Sequence, residues 1–267
     1  MRTAVQRVRS RDGTTIAYDL VGTGEPIILV DGALCTRSLG PMSKLAPLLA
    51  RHFTVFTYDR RGRGDSGDTA PYAVEREVED ITALVNAAGG RAFAFGISSG
   101  GVLALEAANR TSGIKKVALY EAPLIVDGSR PPIGHAWARI QEAIAAGRRG
   151  EAVTIFLKSV GTPAPVVAVM RLLPIWSKLT AVAHTLPYDG AIVQDHQNGT
   201  PLPAGQWASA TMPTLAMVGG SSPVWMRNTM RALAAALPNA QYRELAGLTH
   251  TAAAKPLAPV LQEFFAT

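Results

Sequence analysis

Apolar positions along the first 120 residues follow two different periods. Val74, Val78 and Ile81 lie three or four positions apart, which predicts an amphipathic helix over residues 73–88. Shorter apolar runs, rich in β-branched and aromatic residues, predict strands. The predicted strands are residues 14–21, 26–30, 53–58, 91–97 and 115–120, and the other predicted helices are residues 42–51 and 100–108. This alternation predicts an α/β fold, with a mostly parallel sheet covered by helices on both faces.

The connection between the first two predicted strands is short and glycine-rich. Residues 22–24 read Gly-Thr-Gly, which is typical of a hairpin turn. We therefore expect the sheet to begin with an antiparallel pair formed by these two strands.

The pattern changes after residue 122. Up to about residue 210 no strand pattern occurs, prolines recur, and helices are predicted at residues 136–146, 151–160, 165–173 and 176–184. Strand and helix patterns then alternate again at residues 214–218, 224–236, 241–245 and 255–265. We expect one core formed by residues 1–122 and 206–267, interrupted by a helical insertion at residues 123–205.

Composition and charge narrow the class of protein. Of the 267 residues, 48% are hydrophobic and 17% are charged, which is enough apolar surface for a large folded core. The net charge of +6 comes from basic residues scattered in pairs, with no basic arm or stripe, so we expect no nucleic-acid partner. Cys35 is the only cysteine, which excludes an internal disulfide and suits a reducing compartment.

The chain also lacks the apolar segments of a membrane or secreted protein. No run approaches about 18 apolar residues, and the first ten residues carry three arginines without an apolar stretch. We therefore expect a cytoplasmic protein with no membrane partner. The oligomeric state stays open between a monomer and a homodimer.

The strongest chemical signal is a G-x-S-x-G sequence, GISSG at residues 96–100, between a predicted strand and a predicted helix. A sharp turn from strand to helix requires small neighbours and holds the serine hydroxyl out at the carboxyl end of the strand. The free N–H groups at the start of the helix, that of Ser99 first, can stabilise an oxyanion. The pattern indicates that Ser98 is a nucleophile, and a plain glycine-rich turn is the alternative.

A nucleophilic serine needs a base, and the base needs an orienting acid. His250 follows the last predicted strand and precedes the final helix, whereas the other four histidines lie in a helix end or in the insertion. We predict that His250 is the base. The alternative is a loop histidine with a structural role.

With these residues in this order, the chain resembles the α/β-hydrolase family over essentially its whole length. Residues 59–66, DRRGRGDS, resemble the D-x-R-G-x-G-x-S turn of that family. Residues 31–34, DGAL, take the place of its His-Gly oxyanion loop. The resemblance implies an α/β-hydrolase fold, a helical cap formed by the insertion, and oxyanion donors at the backbone N–H groups of Ala33 and Ser99.

Two positions depart from the family pattern. Asp31 stands where the oxyanion loop usually carries a histidine, although the backbone N–H of Ala33 can still serve. Ser222 stands in the loop position that commonly supplies the acid as aspartate. Glu121 follows the strand next to that of the nucleophile, and it is the predicted acid because active-site groups gather at this edge of such sheets. A solvated glutamate at a strand end is the alternative for this residue, and the weaker candidates for the acid are Asp31, Asp189 and Asp195.

Tryptophans indicate the character of the substrate. Trp137 and Trp176 lie in the insertion and Trp225 lies beside residue 222. With Leu34 they are predicted to line an apolar substrate pocket, although packing of the insertion on the core would also explain them. No dinucleotide fingerprint or metal-ligand spacing is visible, so no cofactor and no metal are expected.

These features predict a serine hydrolase that cleaves a carboxylic ester, or a related acyl bond, of a small hydrophobic molecule through an acyl-enzyme on Ser98. Two alternatives stay open. One is a non-hydrolytic lyase, cyclase or cofactor-free oxidative enzyme on the same fold. The other is a ligand-binding protein that has lost catalysis.

Overall fold

The computed structural model describes residues 5–267, so the first four residues of the arginine-bearing N-terminus lie outside the described residues. The strands are β1 Gln6–Arg9, β2 Thr15–Val21, β3 Glu25–Val30, β4 Phe53–Tyr58, β5 Ala92–Ile97, β6 Ile114–Tyr120, β7 Thr214–Gly219 and β8 Ala240–Leu245. They form one sheet in the order β1-β2-β4-β3-β5-β6-β7-β8. The β1–β2 and β2–β4 pairs are antiparallel and the others are parallel.

Ten α-helices connect and cover these strands within the described residues. They are α1 Met42–Leu49, α2 Val74–Ala87, α3 Ser99–Arg110, α4 Gly134–Ala145, α5 Arg149–Ser159, α6 Ala164–Met170, α7 Ile175–Ala181, α8 Leu186–Val193, α9 Val224–Ala236 and α10 Ala254–Ala266. Helices α1 and α10 contact each other, and α2 contacts α3. Two short 3-10 helices, Ala183–Thr185 and Gln194–His196, flank α8.

The sheet is buried on both faces. Ile27 and Leu29 of β3 belong to one apolar cluster, which also contains buried residues of α1 and α10. Ile28 and Val30 of the same strand belong to a second cluster, which contains residues of α2, α3 and α9. Since side chains alternate along a strand, a continuous apolar run of this kind belongs to a central parallel strand covered on both sides.

The predicted pairing of the first two strands is wrong. β4 lies between β2 and β3, so β2 pairs with β4, although the sheet does begin with antiparallel strands. Gly22 and Gly24, between β2 and β3, do not form a hairpin turn. They allow the backbone of residues 52–53 to approach closely. A Cβ on Gly22 would lie 2.3 Å from the Phe53 carbonyl oxygen, and one on Gly24 would lie 2.4 Å from that of His52.

The antiparallel hairpin of this protein is formed by β1 and β2, which the hydrophobic pattern did not predict. Its turn is closed by the Ser10 N–H, which donates to the Thr14 carbonyl at 2.8 Å. Strand β1 has four residues and Val8 is its apolar member, so alternation has too few positions to be recognised.

Helices α4 to α8 all lie between β6 and β7, in the stretch where strand patterns are absent. We call residues 123–205 the insertion. The hydrophobic pattern does not predict helix α8, because Pro187 and Gly190 interrupt it. Among residues 5–267 no single helix is both long and apolar enough to cross a membrane; α6 and α7 meet that test together, but they are bent by 94°.

Candidate active site

Ser98 lies at the turn between β5 and α3 with φ 56° and ψ −133°, a strained conformation for a residue with a side chain. The glycines two positions before and two positions after Ser98 have no room for a side chain. A Cβ on Gly96 would lie 2.3 Å from the Gly100 carbonyl oxygen, and one on Gly100 would lie 2.4 Å from the Asp31 carbonyl oxygen. The turn therefore holds the Ser98 side chain at the carboxyl edge of the sheet, as the G-x-S-x-G pattern predicts.

Glu121 follows β6 at the same edge of the sheet and is fully buried. Its Oε2 lies 2.8 Å from Nδ1 of His250. Its Oε1 accepts hydrogen bonds from the Gly219 N–H, at 2.8 Å, and from the Ser222 hydroxyl. Both carboxylate oxygens are thus engaged, one by the histidine and the other by the loop after β7.

His250 lies on the loop before α10, and its side chain is about 49% exposed. It lines the same cavity as Ser98, and within residues 5–267 no hydrogen bond joins the two side chains. Hydrogen bonds between a nucleophile and its base are often long in unliganded enzymes and tighten when substrate binds. The arrangement brings the predicted serine, histidine and glutamate to one site.

The loop at residues 31–34 passes directly beside the serine. A Cβ on Gly32 would lie 3.0 Å from the Ser98 Cβ, which is closer than an ordinary contact, so a larger residue would crowd the serine. Ala33 and Ser99 both line the cavity, and Ser99 is the first residue of α3. Their positions suit two backbone N–H donors near a reacting carbonyl.

Asp31 is the first residue of this loop and is buried, and among the described residues it forms no hydrogen bond with His250. Its Oδ1 has no hydrogen-bond partner within the described residues. Burial raises the pKa of Asp31 to about 7, although the guanidinium of Arg63 acts in the opposite direction. Asp195, another alternative for the acid, is exposed on the 3-10 helix after α8.

A cavity of about 110 Å³ contains Ser98 and His250. Trp137 and Trp225 line it, as predicted. The other two predicted pocket residues are not part of its lining among the described residues, which corrects the prediction. Leu34 is buried in the core with φ 60°, and Trp176 packs beside Gly150 and under Arg171. The rest of the lining is mostly apolar and includes Ile133, Phe156, Val160, Val193 and Met226.

Asp189 of α8 forms a buried network with the core that the sequence analysis did not predict. Its carboxylate accepts hydrogen bonds at 2.7 Å from Arg60 Nη1, from Arg63 Nη2 and from the Ser99 hydroxyl. Burial alone would raise the pKa of Asp189, but the guanidinium groups of Arg63 and Arg60 hold it below its usual range. The carboxylate is therefore held by two cations, and it is not hydrogen-bonded to His250.

Across residues 5–267, no three His, Cys, Asp or Glu side chains are grouped so that they could hold a metal ion.

A mostly parallel eight-stranded sheet, with a strained serine at the turn after β5, defines an α/β-hydrolase fold. The model of the alpha/beta hydrolase family matches residues 27–263. The chain belongs to the alpha/beta hydrolase family, as the resemblance implied, and we class it as a hydrolase.

Solved structures agree with this assignment. An alpha/beta hydrolase from Sphaerobacter thermophilus is 51% identical, with a TM-score of 0.89 and 97% of this chain and 100% of that chain covered. An enol-lactonase from Burkholderia xenovorans is 21% identical, with a TM-score of 0.72 over 98% of this chain and 100% of that chain. An esterase from a Rhodococcus species is 19% identical, with a TM-score of 0.72 over 99% of each chain. At these lower identities the likeness shows a shared fold.

Proposed function

We propose that this protein is a serine hydrolase that cleaves carboxylic esters, or closely related acyl bonds, of small molecules through an acyl-enzyme on Ser98. The observation that carries the proposal is the 2.8 Å contact between Glu121 Oε2 and His250 Nδ1, beside the strained Ser98 and in one cavity with it. A nucleophile, a base and a buried carboxylate that orients the base are the groups that acyl transfer requires.

In the first half of the reaction, His250 Nε2 takes the proton of the Ser98 hydroxyl while Oγ attacks the carbonyl carbon. The negative charge moves to the carbonyl oxygen, where the N–H groups of Ala33 and Ser99 stabilise it. Nδ1–H of the resulting imidazolium donates to Glu121, which stabilises the positive charge. His250 then protonates the leaving alcohol, and the acyl group stays on Ser98.

In the second half, water attacks the acyl-enzyme. His250 takes a proton from that water, the same donors stabilise the second oxyanion, and the proton returns to Ser98 Oγ as the carboxylic acid leaves. The histidine thus acts as base and acid in each half of the cycle.

The size and lining of the cavity favour a compact substrate. A volume of about 110 Å³ is below that of an engineered apolar cavity of ~150 Å³ that binds benzene. Trp137, Phe156 and Trp225 make much of the wall apolar. We therefore expect a short or compact acyl group to be accommodated best.

A covalent probe tests this proposal directly. A fluorophosphonate should label the wild-type protein once, and peptide mapping should place the label on Ser98. Ser98→Ala should lose both the label and the hydrolysis of 4-nitrophenyl acetate, while its circular dichroism and Tm stay close to wild type. Ser221→Ala is the matched control, because Ser221 is an exposed serine of a neighbouring loop.

The two alternative functions give different results in the same experiment. An unreactive Ser98 and no turnover across a panel of aryl and alkyl esters would overturn the proposal in favour of a ligand-binding protein. Labelling of Ser98 without hydrolysis of any ester in the panel would favour a non-hydrolytic enzyme on this fold.

A further inference from the structure

Arg130 lies between β6 and α4 and lines the same cavity as Ser98 and His250. We propose that Arg130 binds a carboxylate of the substrate, so that the preferred substrates are esters that also carry a free carboxylate group. This inference rests on the proposed function, because it names the class of ester that the site hydrolyses.

The charges around the cavity support this assignment. Four ionisable side chains line it: Glu121, Arg130, Asp189 and His250. Glu121 faces the histidine, and Asp189 is already paired with two arginines. Arg130 differs from them, because among residues 5–267 no carboxylate lies within 4 Å of its guanidinium and the carbonyl of Ser159 is its hydrogen-bond partner. Arg130 is thus a cation of the cavity that has no anionic partner among the described residues, and a bound ligand can supply one.

Burial makes this unpaired charge costly in the unliganded protein. Arg130 is partly buried, and desolvation lowers the pKa of its guanidinium with no nearby carboxylate to offset the effect. Arginine nevertheless stays protonated near neutral pH. An anionic ligand group would restore the missing partner, whereas a neutral apolar group would bury the charge further.

The side chain is also held in a geometry that suits a carboxylate. Its guanidinium carbon lies 4.1 Å from the centre of the Trp225 ring, and Nη2 donates to the carbonyl of Ser159 at the end of α5. Stacking on an aromatic face leaves the edge of the guanidinium available, and within residues 5–267 only Nη2 donates a hydrogen bond, so most of its five N–H donors are available to a ligand. Such an edge binds carboxylates through two parallel hydrogen bonds.

A purely structural role is the competing explanation. Arg130 would then connect the loop before α4 to the end of α5 through its hydrogen bond to Ser159, and it would cover Trp225. Loss of these contacts would lower the stability of the protein and would affect all substrates alike. A substrate-binding role changes the ratio between charged and neutral substrates, so selectivity is the readout that separates the two.

The test compares matched esters. Mono-4-nitrophenyl glutarate carries a carboxylate on the acyl side, and 4-nitrophenyl pentanoate is its neutral counterpart. 4-Acetoxybenzoate carries a carboxylate on the leaving group, and 4-acetoxytoluene is its neutral counterpart. The wild-type kcat/KM should be at least tenfold higher for the carboxylate ester in one of these pairs, and that pair identifies the side of the substrate that faces Arg130.

Arg130→Gln should then lower kcat/KM for the preferred carboxylate ester by about 10- to 100-fold, the range expected for losing hydrogen bonds between charged groups. The neutral ester should change less than threefold. Arg130→Lys should keep part of the preference, since it retains the charge and loses the planar fork. Arg171→Gln is the control, because Arg171 lies over Trp176 and outside the cavity lining.

Two results would overturn the inference. One is a wild-type enzyme that prefers the neutral ester in both pairs, and the other is an equal loss for charged and neutral esters in Arg130→Gln. If Arg130→Gln does not fold, Arg130→Lys decides, with an unchanged charged-to-neutral ratio counting against the inference. Failure of the proposed function is a separate result, since all four esters would then remain intact, whether or not Ser98 is labelled.

Discussion

The Ser222 hydroxyl donates a hydrogen bond to Glu121 Oε1, although the two residues follow different strands. Their strands are neighbours in the sheet, with Tyr120 of β6 beside Met217 of β7. A carboxylate on either loop therefore reaches the same region next to His250. In this protein Glu121 supplies that carboxylate, and Ser222 on the second loop donates a hydrogen bond to it.

Glu121→Gln should lower kcat by orders of magnitude, about 10⁴-fold if the loss matches that of other triad carboxylates. If the glutamine NH2 faces His250, it cannot accept the hydrogen bond of Nδ1–H. If the amide is flipped, the NH2 faces the Gly219 N–H, and two donors then oppose each other. Ser222→Ala is the milder comparison, because Gly219 still binds the carboxylate, and a loss of about tenfold or less is expected. Steady-state hydrolysis of 4-nitrophenyl acetate checks both, and near-silence of Glu121→Gln would contradict the assignment of the acid.

Ser222→Asp should have opposite effects in two backgrounds. In the wild-type background it places a second carboxylate against Glu121 Oε1, and repulsion between like charges should lower activity. In the Glu121→Gln background it should restore part of the rate, since the new carboxylate approaches the same histidine. A double-mutant cycle on kcat measures this reversal. Loss in both backgrounds would show that the second loop lacks the required geometry.

Asp31 makes the protein less stable as pH rises. Its pKa is raised by burial from 3.8 in the unfolded chain to about 7 in the folded one. Between these values the unfolded chain releases the proton and the folded one retains it, so the free energy of unfolding falls as pH increases from about 4 to 7. The full effect, reached above pH 7, is on the order of 4 kcal/mol.

Asp31→Asn should remove this pH dependence. The difference in Tm between Asp31→Asn and wild type should increase in favour of the variant from pH 5 to pH 8, with most of the increase complete near pH 7. Asp195→Asn serves as the control, because Asp195 is exposed and makes no ion pair among residues 5–267. A Tm difference between Asp31→Asn and wild type that does not change with pH would show that Asp31 titrates alike in the folded and unfolded chain.

Asp189→Asn should destabilise the protein strongly. The change removes a negative charge shared by the buried Arg60 and Arg63. Arg60 still pairs with Glu77, whereas Arg63 keeps no carboxylate partner among the described residues. Breaking a buried ion pair from one side costs about 3–5 kcal/mol, because the remaining charge stays desolvated. Urea unfolding measures the loss. Glu263→Gln, which breaks an exposed pair with Arg243, should leave the urea midpoint close to that of wild type in the same assay.

Trp137→Phe should shift the preference among acyl groups. Trp137 lines the cavity, so the smaller phenyl ring opens space in the cavity wall. The substitution also removes the hydrogen bond that Trp137 Nε1 donates to Gln197 Oε1 at 2.6 Å. We expect the optimum in kcat/KM to move towards esters longer by one or two methylene groups. Trp176→Phe should leave the ranking unchanged, because Trp176 is not part of the lining. Identical rankings in both variants would argue that Trp137 only supports packing.

The sequence predicted the features that depend on local spacing. Helix α9 occurs at its predicted bounds, Val224–Ala236, and the turn around Ser98 has the strain that its glycines indicate. These predictions succeed because hydrophobic periodicity and the steric requirements of a tight turn depend on residues that are close together in the chain. The placement of Glu121 beside His250 also matches its prediction, since the carboxyl ends of adjacent parallel strands must meet.

Features that depend on contacts between distant segments were mistaken or missed. The glycines at residues 22–24 resemble a hairpin turn, but they are required by the backbone at residues 52–53. Trp176 and Leu34 are as apolar as Trp137, and only the packing of the insertion decides which of them faces the cavity. Asp189 was indistinguishable in sequence from a solvated acid, because its two arginines lie more than 120 positions away.

The buried carboxylate of Asp189 also limits how the insertion can be exchanged between related enzymes. A transplanted insertion that lacks an acid at this position would leave Arg63 buried without a carboxylate partner and Arg60 with Glu77 as its remaining one, whatever pocket it was chosen to provide. Chimeras in this family should therefore be assembled with the turn at residues 59–66 and the insertion as one transferable unit, and recombination points between them are to be avoided.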